Sequence, residues 1–197
     1  SWGNVRLLGY YTLVKFGNRL SEAAESDIDI LKERFRITAD NMIEGVKDNA
    51  YQTVMGKSVK DFEWGSNAVA ANQGILLIRV YKLTDDKKYL EYAHGNLEYF
   101  MGRNATGYSF ITGNGHKTPM FPHHRQSEAD GIADPVPGLI VGGPNPGKQD
   151  KCTTYTSDIP DESYTDNVCS YASNEIAINW NAPAAYLAGA LEALYDK

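Results

Sequence analysis

Apolar residues recur at every third or fourth position through the first hundred residues, which is the period of a helix with one buried face. The pattern predicts helices over about residues 2–16, 22–46, 67–82 and 86–101. A break in the second helix near Thr38 stays open. The third segment is apolar on almost every side, which predicts a helix covered by its neighbours.

Small polar side chains stand where these helices are predicted to begin, and their oxygens can accept hydrogen bonds from the first backbone N–H groups. The candidate caps are Ser21 or Ser26 for the second helix, Ser66 for the third and Thr84-Asp85-Asp86 for the fourth. The chain opens at Ser1-Trp2-Gly3 directly in predicted helix, so we expect upstream sequence to be absent or removed.

Residues 103–172 show no sustained helical period and hold many of the Gly and Pro residues. Long loops of this kind often carry function. Pro183 suits a first helical position, and the segment from there to Tyr195 is apolar nearly all round. We therefore expect about five helices and no clear strand. This is an all-α fold of paired helices, arranged as a layered array or toroid with the loops forming a cleft.

Length and charge narrow the function. The 197 residues suit one domain with a sizeable core, and no apolar run approaches the roughly 18 residues of a membrane span. A net charge of −6 argues against nucleic acid, whose phosphates bind clustered Lys and Arg. An uncharged ligand fits better. The 13 Tyr and 3 Trp residues, with Trp64 at the lip of a loop, could stack on sugar rings, although a given Tyr more often packs at a helix edge.

Glu175 is a candidate catalytic acid, because it stands among aromatic and amide residues just before the last predicted helix. Tyr171 precedes it and an apolar segment follows it, so the carboxyl should be partly desolvated. A desolvated carboxyl stays protonated closer to neutral pH, which is what a general acid for a glycosidic oxygen requires. The alternative is a Glu at a helix entrance, favoured by the helix dipole.

A second polar cluster follows Pro122. His123, His124 and Arg125 offer several rigidly held donors, which suits sugar hydroxyls. Adjacent histidines are poorly spaced for zinc, and only His116 could add a third ligand, so we expect no metal here.

Several features of the long loop leave alternatives open. Asp166, nine residues before Glu175, could position that acid, orient a histidine or bind a cation. The loop acids Asp150, Asp158, Asp161 and Asp166 could hold a structural calcium or form a solvated surface, since their spacing is not that of an EF-hand. Cys152 and Cys169 could form a disulfide or a reduced pair. Residues 142–149 nearly match a phosphate-binding loop, but two prolines remove backbone donors and the final Ser or Thr is missing, which excludes a nucleotide site.

Two long runs resemble the signatures of glycoside hydrolase family 9, the cellulases and endoglucanases with an (α/α)6 toroid. Residues 109–125, SFITGNGHKTPMFPHHR, are similar to its histidine signature. Residues 164–182 are similar to its second signature, with Asp166, Tyr171, Glu175, Ala177 and Asn181 in place. The resemblance covers most of the chain from about residue 60 onward. It implies roughly the C-terminal half of the toroid, and five helices agree with half of twelve.

The resemblance implies roles for individual residues. Glu175 would be the proton donor, His123 would bind substrate and be needed for activity, and Asp166 would be the active-site aspartate. Trp180, where relatives usually have Tyr, would stack on a sugar near the cleavage point. The expected catalytic residues are Glu175, Asp166 and His123, and the expected substrate-binding residues are Arg125, His124, Trp180, Tyr171 and Trp64.

The function implied by the resemblance is hydrolysis of β-1,4-glucosidic bonds in cellulose or related β-glucans, with inversion of the anomeric carbon. In the family, the catalytic base comes from an Asp-Ala-Gly-Asp type motif near the start of the catalytic domain, and this sequence has no such motif. We therefore expect the N-terminal half of the same domain to complete the site. The alternatives are a catalytically incomplete glucan-binding or structural fragment, and an exo-acting glucosidase or glucosaminidase of the same family.

The implied substrate also bears on location and cofactors. No cofactor is required, and a structural calcium stays open. Cellulose is insoluble, so a secreted, periplasmic or cell-surface enzyme is expected, which favours a disulfide between Cys152 and Cys169.

Overall fold

The computed structural model describes residues 5–195, and the helix start predicted at residues 2–4 lies outside this range. The described residues form five long α-helices and two short ones, which confirms the all-α prediction. The helices are α1 (Arg6–Lys15), α2 (Glu25–Ile43), α3 (Ser66–Thr84), α4 (Lys87–Phe100), α5 (Arg125–Ala129), α6 (Tyr171–Asn174) and α7 (Ile178–Tyr195). The short helix α5 lies in the segment for which the sequence shows no helical period, and α6 begins at the end of that segment.

Helix α2 runs without a break. Thr38 stays in the helix and its Oγ1 donates to the Arg34 carbonyl at 2.7 Å, so the hydroxyl is satisfied within the preceding turn. The caps expected for this helix are wrong. Ser21 precedes a short 3-10 turn that leads the chain into α2, Ser26 lies within the first helical turn, and no side chain caps the helix.

The next two helices differ in how they begin. Ser66 is the first residue of α3 and does not cap it; Gly65 occupies the cap position with a φ of 82°. Glycine adopts this left-handed conformation without a steric penalty. Asp86 caps α4 as predicted, because its side chain accepts a hydrogen bond from the Lys88 N–H at 3.1 Å.

Helix α7 begins earlier than its proline predicts. The N–H groups of Trp180 and Asn181 both donate to the Ala177 carbonyl at 3.1 Å, so the helix is established before Pro183. Pro183 therefore lies inside the helix, where it removes one backbone hydrogen bond. Tertiary packing compensates for this loss, since α7 buries Trp180, Leu187 and Leu191.

The core is built around α3, which contacts α2, α4 and α7. Gly74 of α3 allows α7 to pack closely, because a Cβ at this position would lie 2.7 Å from Leu187 Cδ1. The largest fully buried apolar side chains are Tyr89, Phe100, Phe110, Met55, Leu77, Ile78, Leu187 and Leu191. No helix within residues 5–195 is long and apolar enough to cross a bilayer.

Three isolated β-bridges organise the loops between α4 and α7. They pair Ile111 with Ile140, Val141 with Ile176, and His123 with Glu175. The amide of Asn181 in α7 joins this arrangement, since its Oδ1 accepts from the Ile140 N–H at 2.9 Å and its Nδ2 donates to the Ile140 carbonyl at 3.1 Å. The loops are thereby attached to the helical core beside Glu175.

A disulfide joins Cys152 to Cys169, with their Cα atoms 5.7 Å apart. This confirms the predicted pairing. The bridge closes the loop that ends immediately before Ser170 and α6, so it restrains the segment that leads to Glu175.

Candidate active site

Glu175 directly follows α6 in an extended conformation, and its backbone is held on both sides. On one side it forms a parallel bridge with His123. On the other side its carbonyl accepts a hydrogen bond from the Gly142 N–H at 3.1 Å. The side chain is partly buried. The structure thus fixes the backbone from which the expected proton donor projects.

His123 is held beside Glu175 by its backbone and by its ring. Its N–H donates to the Asn174 carbonyl at 2.8 Å. Its Nδ1 lies 2.6 Å from the Val168 carbonyl. Because a carbonyl can only accept, Nδ1 carries the hydrogen, and Nε2 is the ring nitrogen that remains for another partner.

An aromatic row, formed by Trp64, Tyr171 and His123, lies next to this pair. The Tyr171 ring is 5.5 Å from the Trp64 ring and 6.1 Å from the His123 ring between centroids. Trp64 remains 44% exposed, so one part of the row is open to a ligand. Aromatic faces of this kind can pack against apolar faces of sugar rings. Four of the predicted site residues, Glu175 among them, are therefore brought together.

Asp166 is occupied by backbone groups. Its Oδ2 accepts from the Met120 N–H at 2.8 Å and its Oδ1 from the Phe121 N–H at 2.9 Å. Asn174 Nδ2 donates to Oδ1 as well, at 3.1 Å. With both oxygens engaged, these contacts favour a positioning role: Asp166 fixes the segment that leads to His123.

The two residues that follow His123 lie at the start of α5. His124 Nδ1 is 2.9 Å from Ser127 Oγ, which also accepts from the Val136 N–H at 3.0 Å. Arg125 is exposed, and its guanidinium makes no hydrogen bond or ion pair with any described residue. The Arg125 guanidinium and the Nε2 of His124 both have no partner among the described residues, and the substrate-binding roles expected for both residues stay predictions.

Trp180 lies in the core and does not line the surface. It is only 6% exposed. A Cβ added at Gly65 would lie 2.5 Å from its Nε1, and one added at Gly142 would lie 3.1 Å from its Cζ3. Its ring therefore packs against two glycine backbones, and a sugar has little access to it. The stacking role expected for Trp180 is replaced by a packing role.

Three of the four loop acids bind different partners within the protein. Asp150 binds backbone and hydroxyl donors, Asp158 pairs with Lys148, and Asp166 binds the Met120–Phe121 backbone. Among residues 5–195, no three His, Cys, Asp or Glu side chains are grouped as they would be around a metal ion. A structural calcium in this loop is not supported by these contacts and stays one of the two alternatives, beside a solvated acidic surface.

Sequence reasoning missed Asn174 and Tyr164. Both are buried, and the Tyr164 hydroxyl donates to Asn174 Oδ1 at 2.6 Å. Burial raises the pKa of Tyr164 well above its ordinary value, so the phenol stays a hydrogen-bond donor. Both residues lie within the run 164–182 that resembles the second family signature, but one partner of Asn174, the Phe121 carbonyl, comes from 53 residues earlier in the sequence.

Residues 1–188 match the family model of glycosyl hydrolase family 9. The chain is 46% identical over 194 residues to a xyloglucan-specific endo-beta-1,4-glucanase of Bacteroides ovatus, covering 98% of this chain and 33% of the relative. It is 35% identical over 192 residues to endoglucanase D of Acetivibrio thermocellus, covering 95% of this chain and 27% of that relative.

Solved structures with a similar fold belong to the same family. The fold superposes on a Bacteroides ovatus GH9 structure with a TM-score of 0.89 at 44% identity, covering 98% of this chain and 34% of the other. A metagenome-derived endoglucanase of the family gives a TM-score of 0.84 at 32% identity, covering 97% of this chain and 33% of the other. The chain thus spans about a third of the length of these relatives. Its helices form part of an (α/α)6 toroid, and the chain belongs to glycosyl hydrolase family 9.

Proposed function

We propose that this chain supplies the general acid of an inverting β-1,4-glucan hydrolase, and that Glu175 is that acid. The observation that carries the proposal is the backbone bridge between Glu175 and His123. It supports the proposal because the backbone of Glu175 is paired with that of His123, whose ring contacts Tyr171 in the aromatic row. Glu175 would protonate the glycosidic oxygen as its bond to the anomeric carbon breaks.

The aromatic row and the donors beside it suit a β-1,4-linked glucan. Tyr171 and Trp64 offer ring faces, and Arg125 offers an unpaired guanidinium for sugar hydroxyls or a carboxylate. His123 presents Nε2, because its other ring nitrogen is bound to Val168. Cellulose, cello-oligosaccharides and a substituted glucan such as xyloglucan are the substrates to compare, since relatives are named for glucan and xyloglucan hydrolysis.

Inversion requires a second carboxylate on the opposite face of the sugar, roughly 6.5–9.5 Å from the acid. We propose that an N-terminal segment of the same catalytic domain supplies it, because this sequence has no Asp-Ala-Gly-Asp type motif. The exposed apolar residues Leu7, Leu8 and Leu13 of α1 offer a surface for such a segment. Two carboxyls suffice for the reaction, so no cofactor takes part.

An exported enzyme fits the disulfide, because such bonds persist in oxidising compartments. The lack of the base motif favours one other function, in which the chain alone is a glucan-binding or structural piece. An exo-acting glucosidase or glucosaminidase would use the same acid and differ in the loops near the non-reducing end.

Proton NMR of the first product anomer tests the proposal. The complete catalytic domain should release the α-anomer from a soluble β-1,4-linked gluco-oligosaccharide, since inversion of a β-linkage gives α. Initial release of the β-anomer would contradict it. Residues 1–197 alone, in the same assay, should release nothing, and release would mean that a residue within the chain acts as the base.

A further inference from the structure

The side-chain amide of Asn174 is fully buried and bound on both sides. Its Nδ2 donates to the Phe121 carbonyl at 2.8 Å and to Asp166 Oδ1 at 3.1 Å. Its Oδ1 accepts from the Tyr164 hydroxyl at 2.6 Å. Both amide hydrogens are therefore used, and the phenol donor fixes which end of the amide is the oxygen.

The backbone of Asn174 is held as firmly as its side chain. Its carbonyl accepts from the His123 N–H at 2.8 Å, and its N–H donates to the Ser170 carbonyl at 3.0 Å. One residue thus binds the Phe121–His123 segment through two groups, at Phe121 with its amide and at His123 with its carbonyl. Glu175 is the next residue along the chain.

We infer that Asn174 is a positioning residue for the general acid, oriented by Tyr164, and that it fixes the distance between Glu175 and the segment carrying His123. The inference rests on the proposed function of Glu175. A general acid must lie within hydrogen-bond reach of the oxygen that it protonates. A misplacement of about 1 Å can cost roughly 100-fold in rate.

Leaving groups separate a positioning role from a general structural one. The sugar leaving group of an unactivated cello-oligosaccharide needs the proton from Glu175. The 2,4-dinitrophenolate of an activated cello-oligosaccharide of the same length leaves with little protonation. In the complete catalytic domain, N174A should lower kcat on the unactivated substrate by roughly 100-fold. N174A should lower kcat on the activated substrate by less than about 5-fold, because departure of its leaving group depends less on the acid. KM for both substrates should stay within about 2-fold of the wild-type value.

Asn96 of α4 offers a matched control, because its side-chain hydrogen bonds go to Met55, Ala70 and Gln73 and to none of the residues between α4 and α7. It is also fully buried, accepts from the Met55 N–H at 3.0 Å, and donates to the Ala70 carbonyl at 2.9 Å and to Gln73 Oε1 at 3.1 Å. N96A removes the same number of hydrogen bonds from the core. Its kcat should change by the same factor on both substrates, whatever its loss of stability.

Y164F tests the orientation step without removing the amide. The ring should remain in place, since it packs 4.9 Å from Tyr108 and 5.2 Å from Phe110 between centroids. We expect a smaller loss, roughly 10-fold, confined to the unactivated substrate. Equal losses on both substrates in N174A and Y164F, or no loss in either, would overturn the inference. If E175Q loses more kcat on the unactivated than on the activated substrate, and N174A and Y164F do not, only the inference about Asn174 fails. If E175Q also loses kcat equally on both substrates, the proposed function of Glu175 fails as well.

Discussion

The Asp150 carboxylate binds the start of the helix that leads to Glu175, since its Oδ2 accepts a hydrogen bond from the Ala172 N–H at 2.9 Å. The same oxygen accepts from Ser170 Oγ at 2.8 Å and from the Tyr155 hydroxyl at 2.9 Å. Partial burial raises the pKa of the Asp150 carboxyl, but these bonds and one from the Cys152 N–H outweigh it and lower the pKa below its ordinary value. The carboxylate therefore stays charged beside α6.

Replacing Asp150 with Asn should destabilise the fold at neutral pH by about 1–3 kcal/mol, because the charged acceptor is lost. Since folding lowers this pKa, the carboxylate stabilises the fold fully above its unfolded-state pKa of about 4. That contribution disappears as the pH falls through the folded-state pKa. In urea unfolding, the free energy of unfolding of D150N should thus be lower than that of wild type at pH 7, and this difference should shrink in acid. D134N replaces an exposed acid and should have the same free energy of unfolding as wild type. A difference between wild type and D150N that does not change with pH would contradict this account.

Removing the disulfide should lower stability by about 3 kcal/mol, because the bridge closes a loop of 17 residues. The double variant C152S/C169S isolates this effect without leaving a free thiol. Thiol titration of the unfolded, unreduced wild type should find neither cysteine free. Two titratable thiols would show that the pair is reduced in the protein.

Trp64 should contribute to binding and little to stability, because its ring is 44% exposed at the end of the aromatic row. In the complete catalytic domain, W64A should raise KM for cello-oligosaccharides about 3- to 10-fold, the range expected for one aromatic contact, with kcat nearly unchanged. W64F retains a ring and should fall between wild type and W64A. An unchanged KM in W64A would remove this residue from the site.

Gly65 should tolerate no side chain, for two separate reasons. Its φ is 82°, and a Cβ would lie 2.5 Å from Trp180 Nε1. Gly107 shares only the first reason, with a φ of 65° and no atom within 4 Å of the added Cβ. We expect G107A to cost about 1 kcal/mol and G65A to cost about 1–3 kcal/mol more, measured by urea unfolding. Equal losses would show that Trp180 does not pack against this glycine.

The regular part of the fold could be predicted because its information is local. The period of Leu90, Ala93 and Leu97 predicts α4, and Asp86 marks its start through a bond to a residue only two positions away. The start of α7 is different: Pro183 is a strong local signal, yet the packing of Trp180 extends the helix upstream of it. Tertiary contacts decide that boundary.

The site shows the same division. Glu175 and His123 could be predicted as site residues because each stands in a distinctive run, and the structure shows that their backbones are paired. The role of Asn174 depends on Phe121, which is 53 residues earlier in the sequence. The burial of Trp180 depends on Gly142, on a separate loop. Contacts between distant segments leave no spacing pattern along the chain.

The central claim, that Glu175 donates the proton, is tested most directly by E175Q in the complete catalytic domain. A Gln side chain keeps the size of Glu but has no acidic proton. The kcat for unactivated cello-oligosaccharides should fall by roughly 100- to 10,000-fold, while a 2,4-dinitrophenyl cello-oligosaccharide should retain most of its rate. E128Q, at an exposed Glu of α5, should behave as wild type on both substrates. Near-normal turnover of the unactivated substrate by E175Q, or equal losses on both substrates, would contradict the assignment of Glu175 as the general acid.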